Sequence, residues 1–269
     1  MFLKFLKSKK RLHKVIKQIL FSLLLLGLIF LSIHLYTKFN APKIAEIQGI
    51  SIYTADKNNK QDIIHIIDTC LQQIKEKGIQ HNFKETVIFC TDAKEYNRRT
   101  FFRGGGTLGK NFYFTGIIVC APADFSINRQ CPRDENLHAR RLSDILVHEL
   151  MHSYLYEKLG LVQFKKMTIF ENWKSEGFSD YIANSSSLNI EDGKRIFIEN
   201  GKEQADMEAG KDIWKYVYFY FKSRMKVDYL LSYKQMPFDD FINTKFDEQK
   251  LENEIREALQ KGLYTFDKQ

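Results

Sequence analysis

Ile145-Leu-Val-His-Glu-Leu-Met-His-Ser-Tyr154 sets two histidines four residues apart around a glutamate, with no other charged residue from Ile145 to Tyr156. On an α-helix, residues four apart lie on one face. His148 and His152 can therefore bind a single ion, while Glu149 sits about 100° around the axis, close to where a water on that ion would be. Leu155 and Leu159 extend the histidine face toward Gly160, a helix stop by its composition, and Ser143 is a candidate N-cap.

A second stretch downstream, Asn172-Trp-Lys-Ser-Glu-Gly-Phe-Ser-Asp-Tyr181, again spaces two acidic residues by four. Glu176 can complete a His2Glu zinc site with a fourth position for water, and Asp180 can accept a hydrogen bond from a liganding imidazole. Together the two stretches, His148 to Asp180, resemble the gluzincin group of zinc metallopeptidases, in which HExxH is followed on a second helix by ExxxD. Trp173, Glu176, Gly177 and Phe178 also reproduce that group's Trp-x-x-Glu-Gly-hydrophobic context. The resemblance implies that His148, His152 and Glu176 bind Zn2+ and that Glu149 is the general base, with a peptide or protein as substrate. It further implies an α+β, zincin-like fold. In that fold a small twisted, mostly antiparallel sheet lies over the HExxH helix, its edge strand holds an extended peptide, and the C-terminal half is helical.

Neighbouring patterns narrow this reading. A metzincin would carry Gly and His three and six residues after the second histidine, where Leu155 and Lys158 stand. The Gly-x-Met-Glu-Asn motif of gluzincin aminopeptidases is absent, which favours an endopeptidase. No histidine follows His152, so a tyrosine would have to steady the oxyanion. Tyr216, Tyr218 and Tyr220 are weak candidates, because an aromatic stripe is more often core. His13, His34, His65, His81 and His138 have no ligand spacing. Two rival readings stand beside the peptidase: a catalytically silent zinc-binding or peptide-binding membrane protein, and a zinc hydrolase of a non-peptide amide.

Working outward, Ile50 to Thr54 reads as a strand, Gln61 to Lys77 as an amphipathic helix ending at Gly78, and Thr86 to Cys90 as a strand. Asn111 to Phe114 and Gly116 to Ala121 read as short strands, and beyond about residue 135 the chain turns helical. Gly104-Gly105-Gly106 and Gly109-Lys110 look like a phosphate loop but lack the Ser or Thr after the lysine, so a flexible loop beside the site is expected. From Asp239 to Gly262, Leu251, Ile255 and Leu259 form the stripe of an ordinary packing face.

The chain has 269 residues, 44% hydrophobic and 14% aromatic, which suits one packed catalytic domain and excludes disorder. Lys4, Lys7, Lys9, Lys10, Arg11, Lys14 and Lys17 precede the first acidic residue, Glu46; without those seven the net charge of +8 falls to about +1. Nothing in the body therefore calls for nucleic acid as a partner. Twenty residues without formal charge follow, Gln18 to Thr37, a length that suits a bilayer-spanning helix. These features predict a basic cytoplasmic tail at 1–17, a transmembrane signal-anchor at 18–37 in contact with the lipid bilayer, a linker at 38–48 and an exported domain at 49–269. The implied localisation is a single-pass membrane protein with a periplasmic or extracellular catalytic domain. Export would expose Cys70, Cys90, Cys120 and Cys131 to oxidising conditions. Two disulfides are expected, with Cys120 to Cys131 the preferred pair of the three pairings because both flank one loop.

Overall fold

The computed structural model describes residues 14–25, 27–29, 32, 41–101, 107–130, 140–186, 188–199 and 212–266. Its contacts divide the chain into two units, 1–42 and 43–269.

In the first unit the described residues 14–25, 27–29 and 32 are helical. Among the described residues no helix is long and apolar enough to cross a membrane. This corrects the expected transmembrane helix at 18–37 and the single-pass localisation drawn from it; residues 26, 30, 31 and 33–37 of that segment lie outside the described residues, as does most of the tail at 1–17.

The second unit begins earlier than the sequence suggested. Strand β1 (Lys43–Ile47) lies within the expected linker and pairs antiparallel with β2 (Ile50–Thr54). Gln48 and Gly49 between them both have positive φ, 46° and 92°, the backbone of a tight two-residue hairpin. Helix α1 (Lys60–Glu76) buries Ile63, Ile66, Ile67, Cys70 and Ile74 along one face and carries the chain across to β3 (Thr86–Phe89). Helix α2 (Ala93–Arg99), capped by Asp92 accepting from the Glu95 N–H, follows, then β4 (Gly109–Phe112) and β5 (Ile117–Cys120). The order across the sheet is β1-β2-β3-β5-β4. The outer pairs are antiparallel and the inner pairs β2/β3 and β3/β5 parallel. The fold is thus α+β as expected, but the sheet is mixed rather than mostly antiparallel, because a helical crossover such as α1 returns the chain to its starting end.

Helix α3 (Leu142–Phe170) carries HExxH, and every residue from Leu142 to Met151 is buried. Its N-terminus is held differently from the expectation. Arg141 occupies the N-cap, and Asn128 on the preceding loop makes a reciprocal pair with Ser143: its Oδ1 accepts the Ser143 N–H at 2.9 Å and its Nδ2 donates to Ser143 Oγ at 2.9 Å. Gly160, at φ 72° and ψ 167°, leaves the helical region and separates two helical stretches across a kink, so the HExxH helix stops there as expected. Helix α4 (Asn172–Ala183) turns back against α3, followed by α5 (Ile190–Glu199), α6 (Asp212–Asp228), a π turn at Tyr229–Tyr233, α7 (Phe238–Asn243) and α8 (Glu248–Gln260). Leu251 and Ile255 of α8 are buried, as the stripe predicted. Buried Lys226 of α6 anchors that helix, with Nζ 2.7 Å from both Glu248 Oε2 and Glu252 Oε1.

The expected disulfides are also corrected. Cys70, Cys90 and Cys120 are buried free thiols, and Cys131 lies outside the described residues, as does the glycine run 104–106. Cys70 and Cys120 belong to the core between sheet and helices, whereas Cys90 packs on the opposite face of the sheet. Strand alternation keeps it there. Burial pushes the Cys90 thiol up to about 12 and the other two well above their usual value, so these are inert core thiols that lend no support to export.

Candidate metal centre

Two helices build the site. On α3 the spacing of four brings His148 and His152 to one face, and their Nε2 atoms lie 3.1 Å apart. From α4, Glu176 Oε2 approaches to 3.2 Å of His148 Nε2 and 3.5 Å of His152 Nε2. Three ligands at roughly 2.0–2.2 Å from a tetrahedral ion would stand about 3.3–3.5 Å from one another, so the triangle has the size a zinc-like ion requires. Glu176 Oε2 is buried with no hydrogen bond of its own, an acceptor that a cation would satisfy. Among the described residues, His148, His152 and Glu176 can hold a metal ion.

Helix α4 also orients both imidazoles. Asp180 Oδ1 lies 2.7 Å from His148 Nδ1, and an ionised carboxylate can only accept, so Nδ1 carries the proton and Nε2 is turned toward the centre. Ser175 Oγ lies 3.2 Å from His152 Nδ1, within hydrogen-bonding distance of the second imidazole. Asp180 in turn accepts from Arg140 Nη2 at 2.7 Å. The spacing of four in the sequence pointed to Asp180. Ser175 and Arg140 were missed: Ser175 adjoins Glu176 with nothing in its type to mark it, and Arg140 lies in a plain basic pair with Arg141.

Electrostatics follow the geometry. Burial works against charge on every group here, yet Asp180 and then Glu176 outweigh it at His148 and raise its value to about 10. The two imidazoles hold Glu176 well below the usual carboxylate range in spite of its burial, and Arg140 and His148 do the same for Asp180. Without a metal, the centre is therefore an imidazolium between carboxylates.

Glu149 points toward the sheet. A Cβ added to Gly109, on edge strand β4, would lie 2.8 Å from Glu149 Oε1 and 2.9 Å from its Cγ, so the bare Cα is what lets the carboxylate sit there. Two residues on, Asn111 Nδ2 donates to the Glu149 carbonyl at 2.5 Å and to Ser153 Oγ at 2.9 Å, clamping β4 to α3. Neither contact was foreseen from the sequence.

Of the three candidate tyrosines, only Tyr220 reaches the site, its ring centroid 6.0 Å from that of His148. Tyr218 is buried against Phe221, and Tyr216 is 67% exposed. Burial, with the negative charges of Glu176, Asp180 and Glu149 added, pushes the Tyr220 hydroxyl well above its usual value and keeps it a donor.

No protein family model matches the chain, and no curated protein matches it. The gluzincin resemblance rests on the residues of the two helices alone.

Proposed function

We propose that the chain is a zinc-dependent peptidase of gluzincin type, acting as an endopeptidase. The observation that carries the reading is the triangle of His148, His152 and Glu176, with Glu149 next to His148 in the chain and its carboxylate over Gly109 of β4. Two imidazoles and a carboxylate are the donor set that suits zinc and leaves one position open. When bound, zinc supplies Lewis acidity toward a carbonyl and makes water a usable nucleophile near pH 7.

The chain's own residues do the rest. Asp180 and Ser175 keep the imidazoles aligned. Glu149 takes the proton of the attacking water and passes it to the leaving amine. Tyr220 donates its O–H to the developing oxyanion. Edge strand β4, clamped to α3 by Asn111, offers backbone groups with which an extended peptide pairs. Gly109→Ala is expected to rotate Glu149 out of line and lower kcat by about 10²-fold, the cost of a displacement near 1 Å, with zinc content unchanged. Parallel kcat and metal measurements check this, and an unaffected kcat would remove Gly109 from the account.

The test of the function is to measure bound zinc on the full chain together with chelator-sensitive cleavage of a mixed peptide library. One zinc per chain with cleavage that chelation abolishes supports the peptidase. Zinc without cleavage overturns it in favour of a silent or non-peptide hydrolase, and a chain that takes up no zinc removes the metal as well. Since His148 binds a proton up to a pH of about 10 in the metal-free chain, the metal and the proton compete. Zinc uptake near pH 7 should release about one proton, and zinc affinity should rise about tenfold per pH unit below that value. Proton release in a weakly buffered calorimeter checks it.

A further inference from the structure

We infer that Arg140 is a positioning residue that locks the two metal-bearing helices together, so that the metal centre is assembled before an ion arrives. The inference rests on the metal reading of His148, His152 and Glu176 and is independent of peptide hydrolysis.

Arg140 stands just before α3 and reaches two points at the end of α4. Its Nη2 donates to Asp180 Oδ1 at 2.7 Å and its Nε to Ser185 Oγ at 3.2 Å. Ser185 follows the left-handed Asn184 that caps α4, and its N–H returns to the Asp180 carbonyl at 3.3 Å. The arginine's own backbone is pinned as well, its carbonyl accepting the Gln130 N–H at 3.1 Å. One side chain thus ties the start of the HExxH helix to the last turn of the helix that supplies Glu176.

The contact is placed where it controls the ligand. Asp180 Oδ1 accepts from Arg140 and from His148 Nδ1 at once, 2.7 Å each, while Oδ2 has no hydrogen bond. The carboxylate is therefore held through a single oxygen. Without the guanidinium, His148 would be the one hydrogen-bond partner left to that side chain among the described residues, and the imidazole would face a less firmly held acceptor. The Arg140 side chain is 9% exposed and that of Asp180 1%, so solvent screening does not dilute the pair as it does on a surface. Arg141 provides the contrast: it is 58% exposed and pairs with Asp144 rather than with Asp180.

Zinc affinity by chelator competition and the visible spectrum of the cobalt-loaded chain test this in Arg140→Gln, Arg140→Lys and Arg141→Gln, each corrected for the folded fraction. Arg140→Gln is expected to weaken zinc by about 10- to 100-fold and to change the cobalt spectrum. Arg140→Lys should recover only part, because an ammonium cannot span Asp180 and Ser185 together, and Arg141→Gln should match wild type. A merely structural role would lower the melting temperature yet leave the affinity and spectrum of the folded protein alone. Both Arg140 variants binding zinc within about twofold of wild type, with an unaltered spectrum, overturns the inference; should Arg140→Gln not fold, Arg140→Lys decides by the same criterion. Wild-type chain that takes up neither metal overturns the metal reading itself, whereas wild type that binds normally with an indifferent Arg140 overturns this inference alone.

Discussion

Glu149→Gln is expected to lower peptide hydrolysis by about 10²- to 10⁴-fold, the usual worth of a positioned general base, while zinc stays bound. Glutamine has the same shape and fits the space over Gly109, but it cannot take a proton from water. The metal ligands are untouched, since Glu149 lies off the face shared by His148 and His152. The clamp on the helix also survives, because Asn111 bonds to the Glu149 carbonyl and not to its side chain. Loss of kcat at unchanged zinc content is the signature. His148→Ala should instead lose the metal together with the activity. A Glu149→Gln variant that still cleaves at the wild-type rate would sink the proposed role.

Gly177→Ala is the expected structural counterpart. Here α4 and α6 touch backbone to backbone: an added Cβ would lie 2.3 Å from the Ser223 carbonyl oxygen, 2.6 Å from its carbon and 2.8 Å from Val227 Cγ2. A carbonyl on a packed helix cannot turn aside as a flexible side chain can, so the helices must part. Overpacking of this kind costs about 1–3 kcal/mol, occasionally more, out of a total of roughly 5–15 kcal/mol. At the upper end, a domain of this size would lose about 6–12 °C in melting temperature. The site suffers with the fold, because Glu176 adjoins Gly177 and Tyr220 sits on α6 one turn before Ser223. Thermal melts and zinc affinity should fall together. A melting temperature within about 2 °C of wild type would show that the helix contact is looser than its geometry indicates.

These residues show where sequence reasoning reached and where it stopped. The helical spacing of four singled out His148 with His152 and Glu176 with Asp180, and the structure brings all four side chains into one cluster. Helix α1, β2, β3 and the stripe on α8 were legible for the same reason: each follows from the period of apolar residues within one short segment. Strand β1 escaped because KIAEI has half-buried and exposed positions without a clear alternation. The cysteines misled because an even count carries no information about which face of the sheet each thiol occupies. In the same way, an uncharged run at 18–37 measures hydrophobic length in the sequence, whereas among the described residues no helix is long and apolar enough to cross a membrane.

By itself, then, the sequence determined what is local: a helix bearing HExxH, a second helix bearing ExxxD, and donor atoms of the type a zinc-like ion takes. Tertiary structure alone decided that Tyr220 rather than Tyr216 or Tyr218 adjoins His148, that Gly109 makes room for Glu149, that Ser175 serves His152, and that Arg140 reaches Asp180 and Ser185. The reason is physical. Helical periodicity places residues within a few turns of one another, but contacts across 40 positions, such as Arg140 to Asp180 or Gly109 to Glu149, arise only when separate elements pack, and no pattern within either element encodes its partner.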